Sequence, residues 1–171
     1  EERPLVAPPA RLEIGAAGRA ARGERADGER EEPMTESRKY TMTIKVRADF
    51  KTVRQRTVDA LAGQGFGVLT EIDVQETLRR KLGAEFRPYV ILGACNPPLA
   101  HRALSAEPEI GALLPCNVVV WAEEDATCTV CALDPVRQFG LVGNPQVAPV
   151  AVEAQERLRR ALEDVRRGLP S

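Results

Sequence analysis

Aromatic residues are scarce in this 171-residue chain: one Trp, two Tyr and four Phe, 4% of the total. A surface that binds single strands by stacking bases needs more of them, so a base-stacking platform is not expected. Net charge is also lacking. The 24 basic and 25 acidic residues sum to −1, which leaves no clustered basic footprint for DNA or RNA. No apolar run approaches the roughly 20 residues of a membrane span, and the first residues carry no charged-then-apolar signal pattern. Neither G-x-G-x-x-G nor a G-K-[ST] phosphate loop occurs. Only four cysteines are present. Without a secretory signal they read as reduced thiols of a cytoplasmic protein, not as a disulfide framework.

Residues 1–39 differ in kind from the rest of the chain. They are rich in Glu, Arg, Ala, Gly and Pro, with nine acidic and eight basic residues. Such a segment buries too little apolar surface to offset its ordering entropy, so it is expected to be a disordered, dispensable tail. The chain does not open on Met; Met34 lies just before the first credible strand and Met42 at its start. Translation from one of them is the expectation, with the tail a translated upstream segment; the rival is a regulatory tail.

From residue 40 a single domain is expected. Thr41, Thr43, Lys45 and Arg47 alternate with Met42, Ile44 and Val46, a strand with one wet face. Asp49 caps a helix whose inner face carries Phe50, Val53, Val58 and Leu61, and Gly63 or Gly65 ends it. Phe66–Ile72 returns as a strand. Asp73 with Glu76 three residues on opens a short helix through Leu82, closed by Gly83.

The centre of the chain reads Y-V-I-L-G-A-C-N-P-P-L-A-H-R-A-L-S-A-E-P-E-I-G-A-L-L-P-C-N-V-V-V, from Tyr89 to Val120. Pro88–Cys95 is a continuous apolar run, expected to be a strand buried on both faces. Asn96 is an N-cap with Pro97 at the first helical position. Leu99, Ala100, Ala103 and Leu104 define the buried side of the helix, and Glu107–Pro108 stops it. Leu113–Trp121 is the next strand. Glu123, Glu124 and Asp125 form a hairpin turn, Thr127–Leu133 the returning strand, and residues 136–149 a Gly- and Pro-rich loop anchored by Phe139 and Leu141. A final helix starts near Val150 with Ala151, Ala154, Leu158, Ala161, Leu162 and Val165 as its apolar stripe. Arg157, Arg159, Arg160, Arg166 and Arg167 lie on the other side and read as solvated surface.

The motifs L-G-A-C-N-P-P-L-A, A-L-S-A-E-P-E-I-G and L-L-P-C-N-V-V-V, with F-G-V-L-T-E-I-D-V and K-L-G upstream, resemble the domain-of-unknown-function 302 family of bacterial and archaeal proteins. The resemblance runs from about Thr41 to Arg167. It implies a TATA-binding-protein-like α+β fold and a tendency to homodimers, and it implies no settled activity. The order β-α-β-α-β-α-β-β-α alternates early, as a parallel doubly wound sheet would. The closing hairpin and long last helix argue instead for a two-layer α+β domain: a mainly antiparallel sheet with helices on one face. The resemblance points the same way.

Four side chains and one histidine are the candidate chemistry. If the two central strands are antiparallel neighbours, Cys95 at the end of one and Cys116 at the start of the other meet at one sheet edge. Asn96 and Asn117 come directly after them, and a pocket lined by all four is the expectation. His101, the sole histidine, is on the helix that Asn96 caps. Two thiols and an imidazole suit zinc or copper, and a thiolate near a helix N-terminus has a lowered pKa. The bland alternative is that the cysteines are small core residues and His101 a surface one. A structural zinc site usually takes four ligands, and the sequence offers three. Cys128 and Cys131 form a C-x-x-C, but on a strand residues three apart point to opposite faces, so this is not a metal or redox motif. Glu71 with Asp73, and Glu107 with Glu109, could be acid–base pairs. A helix cap accounts for Asp73, and a turn for the latter two.

Three functions are compatible with these features. The first is a homodimeric module binding a small molecule or metal near the two Cys-Asn pairs. The second is a thiol-dependent redox protein or enzyme using Cys95 or Cys116. The third is a structural or interaction protein without a ligand. Neither nucleic acid nor membrane is an expected partner.

Overall fold

The computed structural model describes residues 40–169, and the segment 1–39 lies outside the described residues. Eleven elements run in the order β1 (Thr41–Arg47), α1 (Phe50–Gly63), β2 (Gly67–Asp73), α2 (Val74–Leu82), β3 (Tyr89–Cys95), α3 (Pro97–Ala106), a 3-10 helix (Pro108–Leu113), β4 (Cys116–Ala122), β5 (Thr127–Leu133), α4 (Pro135–Phe139) and α5 (Ala148–Arg167). The strands form one antiparallel sheet in the order β1-β5-β4-β3-β2. The fold is α+β with a long C-terminal helix.

Helix starts obey local chemistry. Each of α1, α2, α3 and α4 begins after a short polar side chain that accepts from a free first-turn amide: Asp49 from Thr52 (3.0 Å), Asp73 from Glu76 (2.8 Å), Asn96 from Leu99 (3.2 Å) and Asp134 from Val136 (2.9 Å). Glu76 does not reach back to complete a capping box. Its carboxylate pairs with Arg79 instead.

Strand alternation divides the sheet into two unequal faces. Met42, Ile44, Val46, Val90, Leu92, Ala94, Cys116, Val118, Val120, Cys128, Val130 and Ala132 point to one side and are all buried. Against them pack Val53 and Leu61 of α1 and Leu158, Ala161, Leu162 and Val165 of α5, one continuous hydrophobic cluster. The apolar stripe read from the last helix is buried throughout. Thr57 joins the inner side of α1, where its hydroxyl donates to the Val53 carbonyl four residues back (2.8 Å) and so carries no unpaired polarity. A second cluster lies beyond the sheet end, where Leu99 and Ala103 of α3, Ile110, Phe139 and the first turns of α5 meet.

Several expectations need correction. β3 is not buried on both faces: Val90, Leu92 and Ala94 are covered, while Tyr89, Ile91 and Cys95 on the other side are partly exposed. The side chains of α1 and α5 that seal the sheet all pack on the side of Val90 and Leu92, so the apolar run reflects an uncovered apolar face. Leu104 is 40% exposed, because the side of α3 that meets the second cluster is centred on Leu99 and Ala103. Leu141 is exposed, and the segment is anchored by Phe139, within a short helix that begins at Pro135, and by Val147. β4 starts at Cys116, because a 3-10 helix takes up the residues through Leu113.

Candidate functional site

β3 and β4 are antiparallel neighbours, so the end of one and the start of the other lie at the same end of the sheet. Ala94 is the residue directly opposite Cys116. Alternation then places Cys116 on the covered face and Cys95, one residue on from Ala94, with Gly93 and Ile91 on the other. Cys95, Asn96 and Cys116 nevertheless border a common cavity of about 20 Å³, closed by Phe66, Leu99 and Ala154 among others. It lies at the seam between the two hydrophobic clusters. The volume admits about one water-sized group.

Asn117 and His101 are not part of that cavity. Asn117 comes after Cys116 on the strand, so its side chain turns to the opposite, exposed face. His101 sits two residues from both Leu99 and Ala103, which puts it on the solvent side of α3. Among the described residues no three His, Cys, Asp or Glu side chains are grouped so as to hold a metal ion. The trio Cys95, His101 and Cys116 is therefore not assembled as a metal centre.

The thiols are not activated. Burial pushes the Cys95 thiol above its usual value, and burial, with Cys95 near by, pushes Cys116 up to about 11. Proximity to the start of α3 does not overcome desolvation, so both stay protonated at neutral pH. Cys128 is buried, its sulfur donates to the Ala48 carbonyl (3.4 Å), and burial raises its pKa too. Its register partners Val46 and Ala122, against Thr43 and Val119 for Cys131, place the two on opposite faces as alternation requires.

Asn96 is held by structure on both sides of its amide. Its Oδ1 accepts from Leu99, and its Nδ2 reaches the Gln64 carbonyl at 3.5 Å. Arg157 donates to that same carbonyl (3.3 Å) and is itself fixed by Glu153, which also pairs with Arg102 of α3. Gly65 comes next with φ of +81°, and a Cβ there would come within 2.9 Å of Asn96 Nδ2. The turn after α1, the cap of α3 and the middle of α5 are thus tied together at Asn96. Hydrogen bonds from Arg102 and Arg157 hold the Glu153 carboxyl below its usual pKa.

Three of the four carboxylates suggested for acid–base work, Glu71, Asp73 and Glu107, are engaged elsewhere. Glu71 forms a bidentate pair with Arg54 of α1, and Asp73 caps α2. Glu107 precedes the 3-10 helix and accepts from Asn144 (3.3 Å), and Glu109 lies in its first turn.

The sequence reading missed an aromatic group on the uncovered face. Tyr89 and Trp121 are directly opposite on β3 and β4, with ring centroids 5.8 Å apart and planes 14° from parallel, and Phe86 tilts onto Tyr89 at 5.8 Å. Trp121 Nε1 donates to Glu123 Oε1 (2.7 Å), which also accepts from Thr129 (3.0 Å), while Arg87 pairs with the other oxygen (2.8 Å). Burial alone would raise the Glu123 pKa, but these donors hold it below its usual value. The signal was available: three of the chain's seven aromatics lie in or just before the two central strands, and Trp121 and Tyr89 alternate with the buried valines.

Comparison with known proteins agrees with this architecture. A solved structure titled as an uncharacterized conserved protein DUF302 from Bacillus stearothermophilus superposes with a TM-score of 0.70 at 32% identity, covering 75% of this chain and 100% of the other. An uncharacterized protein of Aquifex aeolicus (strain VF5) is 27% identical over 112 residues, which are 64% of this chain and 72% of the relative. The family described as domain of unknown function DUF302 matches residues 42–165. With that match spanning most of its length, the chain belongs to the DUF302 family.

Proposed function

We propose that this domain is a binding module that works as a homodimer and takes a small uncharged group at the sheet end bordered by Cys95, Asn96 and Cys116. One observation carries the reading: an apolar cavity sits at the seam of the two hydrophobic clusters, beside the ends of two adjacent strands. Protonated thiols and aliphatic walls favour an apolar, neutral ligand group over an anion or a metal. The cavity is far below the roughly 300–1,000 Å³ of pockets that enclose drug-sized ligands. It therefore suits one methyl- or thioether-sized group, with the remainder of any ligand outside.

The test is an amide-shift titration of the protein with dimethyl sulfide and isobutanol. Saturable shifts at Leu99 and Ala103 are expected. They should vanish in Cys116→Leu, whose larger side chain fills the cavity. The absence of saturable shifts, or identical shifts in Cys116→Leu, rules the reading out. A thiol-redox role has less support, because desolvation keeps both sulfurs in the unreactive protonated form.

A further inference from the structure

Of the α-helices in the described residues, α2 alone buries no residue, whereas α1, α3, α4 and α5 each bury several side chains. Its ends are well made all the same: Asp73 caps the first turn, and Gly83 closes the last. The apolar stripe of α2 is Val74, Leu78 and Leu82, each four residues from the next. Val74 and Leu78 are half-buried, but Leu82 is 73% exposed. The chain then turns back along the helix. Gln75 Nε2 donates to the Phe86 carbonyl (2.7 Å), which holds Phe86 beside the first turn, and Phe86 is 41% exposed. Gln75 and Leu82 lie at opposite ends of α2, about 10 Å apart along its axis. The two exposed apolar side chains therefore stand at the two ends of one short helix.

Charge is distributed unevenly along the same helix. Arg79, Arg80 and Lys81 fill its last turn. Glu76 serves both Arg79 (2.8 Å) and Arg80 (3.9 Å), and Lys81 has no ion-pair partner among the described residues. Glu85 adds a further attraction for Arg79, and Arg87, beside Phe86, is already paired with Glu123 (2.8 Å). The last turn keeps a cationic excess in a chain whose net charge is −1. Basic residues there complement the helix dipole, but the dipole does not account for an exposed leucine among them. At about 100° per residue, Arg79 and Lys81 fall on either side of Leu82. An apolar side chain flanked by long cations is the pattern of a helix lying in a bilayer interface: the apolar group dips below the headgroups, and the cations reach back to them.

We infer that α2 and the loop after it rest on an anionic membrane surface, with Leu82 and Phe86 as the apolar contacts and Arg79, Arg80 and Lys81 meeting the lipid headgroups. Charge complementarity selects the occupant, since a cationic turn calls for an anionic surface. Exposure selects a soft one. Side chains that stand out at the two ends of a helix suit a layer that gives way to each, where a folded partner would have to offer each its own pocket. The sequence sets a membrane aside because no run is long enough to span one. Lying on its surface needs no span.

The experiment is cosedimentation of the full chain with vesicles of phosphatidylcholine alone and of phosphatidylcholine mixed with phosphatidylserine. The expected result is binding to the mixed vesicles, far weaker binding to the neutral ones, and release as salt screens the attraction. Lys81→Glu and Leu82→Ser should each lower the partition onto mixed vesicles by about tenfold or more. Both sites are exposed, so the fold should persist, and thermal melts check that it does. Leu141→Ser, at an exposed leucine elsewhere in the chain, tests for general stickiness and should bind as the parent does. Equal binding to both kinds of vesicle overturns the inference. So does parent-like binding by Lys81→Glu and Leu82→Ser, which would put the contact on another surface, and so does a loss in Leu141→Ser as large as that in Leu82→Ser. A chain that ignores both kinds of vesicle also overturns it and leaves this corner to a protein partner.

Discussion

The two faces of one sheet differ far more than their sequences do. Along β4 the residues Cys116, Val118 and Val120 are sealed against α1 and α5, while Asn117, Val119 and Trp121 look outward. Consecutive valines on one strand thus serve different ends: Val118 builds the fold and Val119 is free to meet something else. Hydrophobicity alone does not say which face of a strand is the core. That is decided by where the apolar stripes of the helices lie, and here both long helices present theirs to the same side.

The largest effect should come from emptying the covered face. Leu158 is fully buried at the centre of α5, among residues of β1, β4 and α1. Leu158→Ala should cost about 2–5 kcal/mol, the range for removing a packed leucine. Ile72→Ala, on the uncovered face and half exposed, should cost well under half of that. Urea unfolding at low protein concentration measures both, and equal losses would mean the uncovered face carries as much of the fold as the covered one.

Much of this architecture was legible because its causes are local. Alternation marks β1 and β5, and Asp49, Asp73 and Asn96 announce their helices by chemistry confined to one turn. The short helix after β5 was equally readable: Asp134–Pro135 repeats the cap-then-proline grammar of Asn96–Pro97, yet the glycines beyond it suggested only a loop. The uncovered face was not legible. The run V-I-L-G-A reads as buried on both sides, and only the positions of α1 and α5 reveal that one side lacks a cover. The same step misplaced Asn117. Its neighbour Cys116 belongs to the cavity, and a one-residue move along a strand changes faces. The state of the thiols stayed open because the pull of a helix N-terminus is visible in sequence, whereas the desolvation that outweighs it depends on packing.

A second effect separates the thiols of the covered face by pH. Burial raises Cys116 to about 11 in the folded chain, whereas the unfolded thiol titrates near its ordinary value of 9.0. Stabilisation from this group is therefore complete below about pH 9 and is lost as pH rises toward 11, since the unfolded chain releases the proton first. The slope should be up to about 1.4 kcal/mol per pH unit in that window. Cys95 and Cys128 shift in the same direction, so the check is a difference: unfolding free energy against pH for the parent and for Cys116→Ala. The parent curve should fall more steeply. Parallel curves would mean that Cys116 reaches water in the folded state.

The smallest effect is the one that addresses the comparison most directly. Val118→Thr and Val119→Thr make the same change in volume and chemistry at adjacent positions, a methyl replaced by a hydroxyl. At Val118 the hydroxyl enters a face sealed by α1 and α5, where the surrounding side chains are aliphatic. Burying it without a partner should cost about 1–3 kcal/mol. At Val119 the hydroxyl can reach solvent, and the cost should stay within about 0.5 kcal/mol, as for an ordinary surface substitution. A cost at Val119 that matches Val118 at low concentration would show that its side chain is already sealed within one chain.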